Sequence, residues 1–120
     1  MCWMRLIGLK HVKKVWGSEL WVVNNKEYCG KILYLKKDFR CSVRYHKLKH
    51  ETFYLVSGKI LLEIGGKERI MKSGHIQEVK RGITHRFTGI EDSEIIEFST
   101  HHEDSDSYRI IRGGKVGKNK

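Results

Sequence analysis

The chain has 120 residues, of which 39% are hydrophobic and 32% are charged. This length and composition are typical of one globular domain and exclude an intrinsically disordered chain. No apolar run approaches the roughly 18 residues that cross a bilayer, and the first ten residues lack the cleavage site of a signal peptide. We therefore expect a cytoplasmic protein with no membrane partner.

The net charge is +10, from 24 basic and 14 acidic residues, and the excess lies in residues 1–90. Such a charge attracts anionic partners. The lysines are scattered rather than grouped in blocks, which favours a solvated surface, and a phosphorylated small molecule is the alternative interpretation. Because no platform of aromatic and basic residues for base stacking is evident, we predict a small anionic ligand and no nucleic acid.

The hydrophobic pattern predicts many short strands, which in chain order are residues 20–23, 32–35, 41–46, 52–56, 59–64, 68–71, 76–79, 85–88, 94–98 and 108–112. The pair Gly65 and Gly66 is a strong signal for a two-residue hairpin turn. Only residues 7–15 suit a short helix. Closely spaced short strands predict an all-β sandwich or closed barrel, with an N-terminal extension at 1–14, one barrel domain at 15–112 and a flexible basic tail at 113–120.

Three residues with metal-binding side chains stand at the ends of predicted strands. His46 ends one strand, Glu51 begins the next after a short polar connection, and His85 begins a later one. Two imidazoles and a carboxylate that converge on one point suit a single divalent transition metal, Zn, Mn, Fe, Ni or Co, with coordination positions left open for water or substrate. We therefore predict His46, Glu51 and His85 as metal ligands.

The spacing around these residues resembles the two motifs of the cupin superfamily. The first motif is matched by His46, four residues, Glu51, six residues and Gly58. The second is matched by Gly74, five residues, Lys80-Arg81-Gly82, two residues and His85, with lysine in the proline position. The resemblance implies an all-β cupin double-stranded β-helix, which is a jelly-roll barrel formed as a single domain. It also implies a homodimer.

Four phrases are similar to the small mannose-6-phosphate-isomerase-like cupins, namely residues 16–19 (WGSE), 28–31 (YCGK), 51–58 (ETFYLVSG) and 97–100 (EFST). This resemblance implies a metal-dependent aldose–ketose isomerase for sugar phosphates, in which Glu97 is a candidate for proton transfer. A non-catalytic cupin that binds a sugar or small anion is an alternative. An iron-dependent dioxygenase is another, because two histidines and a carboxylate also define that site.

Arg44 departs from the cupin pattern, because it replaces the first histidine of the first motif. A guanidinium has no lone pair to donate to a metal. Arg44 can clamp a phosphate or carboxylate instead, or it can pair with Glu51 in a pocket without metal. The other predicted substrate contacts are the cations Lys49 and Lys80, with Arg86, at the barrel mouth, and the rings of Phe53 and Phe87, which share strand parity with Glu51 and His85.

Overall fold

The computed structural model describes residues 10–117, which form antiparallel β-strands and one short 3₁₀-helix, Asp104–Asp106. The strands are β1 Lys10–Lys14, β2 Gly17–Asn24, β3 Cys29–Leu35, β4 Phe39–Arg40, β5 Val43–His46, β6 Glu51–Ser57, β7 Lys59–Ile64, β8 Lys67–Lys72, β9 Ile76–Val79, β10 His85–Gly89, β11 Ser93–Ser99, β12 Ser107–Ile111 and β13 Gly114–Lys115. Within 10–117 no helix has the length and apolar character to cross a membrane.

The strands form two sheets. The first has the order β1-β2-β3-β11-β6-β9, and the second runs β12-β5-β10-β4-β13, with β7 paired to β10 and β8 paired to β7. Neighbours that are distant in sequence are paired in both sheets, such as β3 with β11 and β5 with β12. These crossings are those of a jelly roll, so the predicted all-β fold is confirmed.

The barrel interior changes from charged at one end to apolar at the other. Strand β6 shows the change, because its buried residues are Glu51, then Phe53, then Leu55. In β11, Glu97 lies opposite Phe53 on one side and Lys31 of β3 on the other. The far end holds the aliphatic core, formed by Leu35, Leu55, Ile60, Leu62, Met71 and Ile95. Burial of each such side chain contributes about 1.5–3 kcal/mol to the stability of the fold. The apolar end therefore stabilises the barrel, and the charged end carries the side chains that can bind ligands.

Two turns between strands depend on glycine, and the first confirms the predicted hairpin at Gly65 and Gly66. Gly65 and Gly66 join β7 to β8 with φ values of 55° and 82°, the left-handed conformation that glycine adopts without steric cost. Gly58 joins β6 to β7 with φ 94°. A Cβ at Gly58 would lie 2.3 Å from Ser93 Oγ and 2.4 Å from the Asp92 carbonyl oxygen, so a side chain cannot be placed there without moving the β10–β11 connection.

The structure differs from the predictions at both ends of the barrel. The helix predicted over 7–15 is wrong for residues 10–14, which form β1 and pair with β2 from Lys10 opposite Trp21 to Lys14 opposite Gly17; residues 7–9 lie outside the described part. The open edge of β2 supplies hydrogen bonds that outweigh a weak helical preference. Gly114–Lys115, predicted to be in the tail, pair with β4.

Candidate metal centre and ligand cavity

Three strands bring the predicted metal ligands to the charged end of the barrel. His46 is the last residue of β5, Glu51 the first of β6 and His85 the first of β10, and all three are buried. Glu51 Oε2 lies 3.2 Å from His85 Nε2 and 3.6 Å from His46 Nε2. One ligand atom from each residue lies within 4.8 Å of the others. These separations allow one ion to reach all three atoms.

Backbone carbonyls orient both imidazoles toward this point. His46 Nδ1 lies 3.2 Å from the Asp106 carbonyl oxygen, and His85 Nδ1 lies 3.1 Å from that of Ile83. A carbonyl only accepts hydrogen bonds, so each Nδ1 carries the proton and donates it. The lone pair is then on each Nε2, which faces Glu51. Histidines that bind metals are commonly oriented by a partner of this kind.

One oxygen of Glu51 has no hydrogen-bond donor. Its Oε1 accepts from Lys49 Nζ at 3.1 Å, whereas the buried Oε2 lacks a partner within the described residues. A buried carboxylate oxygen without a donor is costly, and a cation between Oε2 and the two Nε2 atoms would compensate it. The donor set of two nitrogens and one oxygen suits a divalent transition metal. The residues present therefore fit the metal that the cupin resemblance implies.

Lys49 lies inside the barrel beside the candidate metal centre rather than at the mouth. Its Nζ donates to Glu97 Oε2 at 3.0 Å and lies 2.9 Å from His102 Nδ1, in addition to its contact with Glu51. His102 Nε2 in turn lies 2.9 Å from Asp104 Oδ1, a side chain that is 85% exposed. A chain of hydrogen bonds thus runs from Glu51 to solvent.

The charges in this network shift the pKa values of its members. Burial alone would lower the pKa of Lys49, but Glu97 and Glu51 outweigh it and raise that pKa, so the amine is an ammonium. Burial alone would raise the pKa of Glu51, but the close contact with the His85 imidazole and the charge of Lys49 outweigh it and hold that pKa at about 2. For His46, burial dominates and lowers the pKa to about 4. At neutral pH the site therefore has a carboxylate and a neutral His46, the forms that bind metal.

These pKa shifts predict that metal-free protein loses stability in acid. Between pH 6.5 and about 4 the unfolded chain protonates His46 while the folded site resists it, so the free energy of unfolding falls as the pH is lowered. Protonation of Glu51 lowers the free energy of unfolding further as the pH falls from 4.5 toward about 2, because the folded site then loses the stabilising carboxylate charge. Urea unfolding of chelator-treated protein across this range measures the effect. Between pH 6.5 and 4 the free energy of unfolding should depend less on pH in the His46→Gln variant than in wild type. The control variant at an exposed histidine, His75→Gln, should follow wild type. A free energy of unfolding that does not change with pH in wild type would contradict the lowered pKa of His46.

Glu97 faces inward but does not line the cavity, so the structure does not support its predicted role in proton transfer. Its Oε2 accepts hydrogen bonds from Lys49 Nζ at 3.0 Å and from Ser99 Oγ at 2.9 Å. Glu97 therefore holds the Lys49 ammonium in place and acts as a positioning residue.

Asp106 and His102 contribute to the site but carry no sequence signal. The buried carboxylate of Asp106 accepts hydrogen bonds from the backbone amides of Lys47, Leu48 and Lys49, while its carbonyl orients His46. Asp106 thus holds the connection between β5 and β6. His102 is buried against Lys49, although the adjacent histidine pair at 101 and 102 is typical of a surface loop. Neither residue could be assigned to the site from the alternation of side chains along a strand.

A cavity of about 520 Å³ opens onto the candidate metal centre. Of the predicted substrate contacts, Arg44, Lys49, Phe53 and Phe87 line it, and the two rings pack edge to face at 4.7 Å. Lys80 is exposed and does not line the cavity. Arg86 also lies away from it, because it alternates with His85 and Phe87 along β10 and contacts Glu63 at 3.3 Å. The predicted phosphate-binding roles of Lys80 and Arg86 are therefore not supported.

Arg44 does not pair with Glu51, so that predicted alternative is wrong. Its Nε and Nη2 donate to Ser42 Oγ at 3.1 and 2.6 Å, and Lys49 occupies the place beside Glu51 instead. Arg44 remains on the cavity wall. Its guanidinium is thus available to a bound anion rather than neutralised by a carboxylate.

Comparison with known proteins supports the fold. A family model described as the cupin domain matches residues 32–100, and no curated protein matches the sequence. KdgF from Halomonas sp. is 17% identical with TM-score 0.69, over 73% of this chain and 81% of KdgF. An RmlC-like cupin from Shewanella frigidimarina is 13% identical with TM-score 0.74, over 82% and 89%. The capsular polysaccharide assembling protein CapF from Staphylococcus aureus is 19% identical with TM-score 0.74, over 86% of this chain but only 34% of CapF.

Proposed function

The chain belongs to the cupin domain family, and from this we propose that it is a metal-dependent enzyme that isomerises a small sugar phosphate between its aldose and ketose forms. The observation that carries the proposal is the convergence of His46, Glu51 and His85. Glu51 Oε2 receives no hydrogen bond from the described residues and faces the Nε2 atoms of both histidines. The similarity of several phrases to mannose-6-phosphate-isomerase-like cupins supports the reaction.

His46, Glu51 and His85 would hold the metal, which when bound would polarise a substrate carbonyl as a Lewis acid. The Lys49 ammonium, fixed by Glu97 and Glu51, lines the same cavity and can donate a proton to a developing oxyanion. Phe53 and Phe87 form an apolar wall that excludes water beside these charges.

Glu19 is the residue that we assign to proton abstraction. Apart from Glu51, it is the buried carboxylate that lines the cavity in the described part of the chain. Burial alone would raise its pKa, but the charges of Lys31 and Lys14 outweigh burial and lower it. Glu19 is therefore ionised at neutral pH and able to accept a proton. This role replaces the one predicted for Glu97.

Turnover of a sugar-phosphate panel tests the proposal. We expect the metal-loaded protein to isomerise at least one member, the His46→Ala variant to be inactive, and Glu19→Gln to lower kcat by about 10²–10⁴-fold while it retains its metal. The exposed Glu91→Gln variant should leave kcat unchanged. Absence of turnover across the panel would contradict the proposal, and oxygen uptake with ferrous iron would indicate the dioxygenase alternative.

A second candidate function is the non-catalytic binding of a small anion or sugar. It is favoured by the Lys49 ammonium at 3.1 Å from Glu51 and by Arg44 in the place of the family's first histidine, because both cations oppose a metal ion nearby. Tight anion binding by a protein that takes up no metal on reconstitution would support this function and exclude the first.

A further inference from the structure

A row of three side chains crosses the second sheet from the candidate metal centre to its edge. Arg44 of β5 lies opposite the metal ligand His85 of β10 on one side and opposite Arg109 of β12 on the other. Residues directly opposite on neighbouring strands share a face of the sheet. All three line the cavity, so the row places Arg44 next to a metal ligand and Arg109 one strand further out.

Among the described residues neither arginine is in an ion pair, although the charge of Arg44 acts on Glu19 and helps to lower the pKa of that carboxylate. Arg44 donates to the neutral Ser42 hydroxyl, and no ion pair in residues 10–117 involves either guanidinium. Like charges directly opposite each other destabilise a sheet. An anion held between Arg44 and Arg109 would relieve this repulsion and would use their planar donor groups.

A second cavity of about 410 Å³, here called the outer cavity, adjoins the first and extends this cationic surface. The two share Lys14, Trp16, Arg44 and Arg109. The outer cavity is also lined by Lys13 and Arg112, and among the described residues no aspartate or glutamate lines it. The first cavity, in contrast, contains Glu19 and Glu51. The outer cavity thus selects for negative charge.

We propose that the outer cavity binds the phosphoryl group of the substrate, on Arg44, Arg109 and Lys14. Two strand spacings of about 4.8 Å separate Arg109 from His85, roughly 10 Å in total. The ligand is therefore a phosphate ester whose reacting carbons lie several bonds from phosphorus. The identity of the substrate group at the candidate metal centre rests on the proposed function, whereas the binding of a phosphoryl group in the outer cavity does not. This subsite replaces the phosphate contacts predicted for Lys49 and Lys80.

Titration calorimetry with inorganic phosphate tests the subsite in chelator-treated, full-length protein. We expect wild type to bind phosphate and Arg109→Gln to bind it at least about tenfold more weakly, because a guanidinium with its charge-assisted hydrogen bonds is lost. Arg109→Lys keeps the charge without the planar donor group and should bind with intermediate affinity. Lys80→Gln removes one exposed positive charge outside both cavities and should bind like wild type.

Equal weakening in Arg109→Gln and Lys80→Gln would overturn the proposal, because net charge alone would then explain binding. Absence of phosphate binding by wild type at low salt would also overturn it. Arg109 is exposed on β12, so its variants should fold, and thermal unfolding checks this. Metal uptake separates the two proposals: a protein that binds phosphate through Arg109 but takes up no metal supports the subsite and contradicts the proposed function.

Discussion

Replacement of His46 by alanine should remove the metal from a protein that, purified without a tag, holds about one equivalent of a divalent transition metal. The loss should be nearly complete, because His46 supplies one of three ligand atoms that lie within 4.8 Å of each other. Glu51→Gln should have a similar effect, since it removes the carboxylate charge whose Oε2 faces both Nε2 atoms. Mass spectrometry of the purified proteins measures the metal directly.

His50 provides a matched control for this experiment. It precedes Glu51 in the same connection, but its Nε2 contacts Glu78 at 2.7 Å on the surface. His50→Ala should therefore retain the metal of wild type. Equal loss in His50→Ala would mean that the metal is bound at surface histidines. Negligible metal in wild type after reconstitution would contradict the metal centre and favour the anion-binding function.

Replacement of Lys49 by methionine should have two opposite effects. It leaves Glu51 and Glu97 buried without the ammonium that contacts both. Removal of one partner from a buried charge cluster costs about 3–5 kcal/mol, so the metal-free variant should be much less stable. The same change removes a positive charge that lies 3.1 Å from Glu51 Oε1, so the affinity of the site for a divalent cation should rise.

Urea unfolding in chelator and in excess metal separates the two effects. The stability difference from wild type should be largest in chelator and should shrink in metal, because an ion that binds only the folded state stabilises it. Lys80→Met is the control, since Lys80 is exposed and lines neither cavity. If Lys49→Met has wild-type stability in chelator, the ionic network does not stabilise the fold. If its metal affinity falls, Lys49 supports the ligand geometry of Glu51 rather than opposing the ion.

The strands and the three candidate ligands could be predicted from the sequence because their signals are local. Alternation between buried and exposed side chains along one strand predicted that Glu51 and Phe53 share a face, and both are buried. A short polar connection placed His46 and Glu51 at strand ends, and a connection that contains Gly82 placed His85 at the start of a strand. The homodimer and the sugar-phosphate subtype, which came from resemblance alone, stay predictions.

The ion pairs and hydrogen bonds that determine what the site can do could not be predicted from the sequence. Asp106 is 60 residues from His46, which it orients, and His102 is 53 residues from Lys49. Such contacts form between segments that only the folded barrel brings together. The periodicity of a sequence does not indicate which segments become neighbours.

The sequence by itself thus determined the all-β barrel and its candidate metal ligands, through side-chain periodicity and turn chemistry that act over a few residues. The tertiary structure alone decided that Lys49 is buried between two carboxylates and that Lys80 lies away from the cavity. It also decided that Arg109 joins Arg44 beside His85. The physical reason is that the charge environment of each group depends on the pairing of distant strands, which places charges next to each other across the barrel.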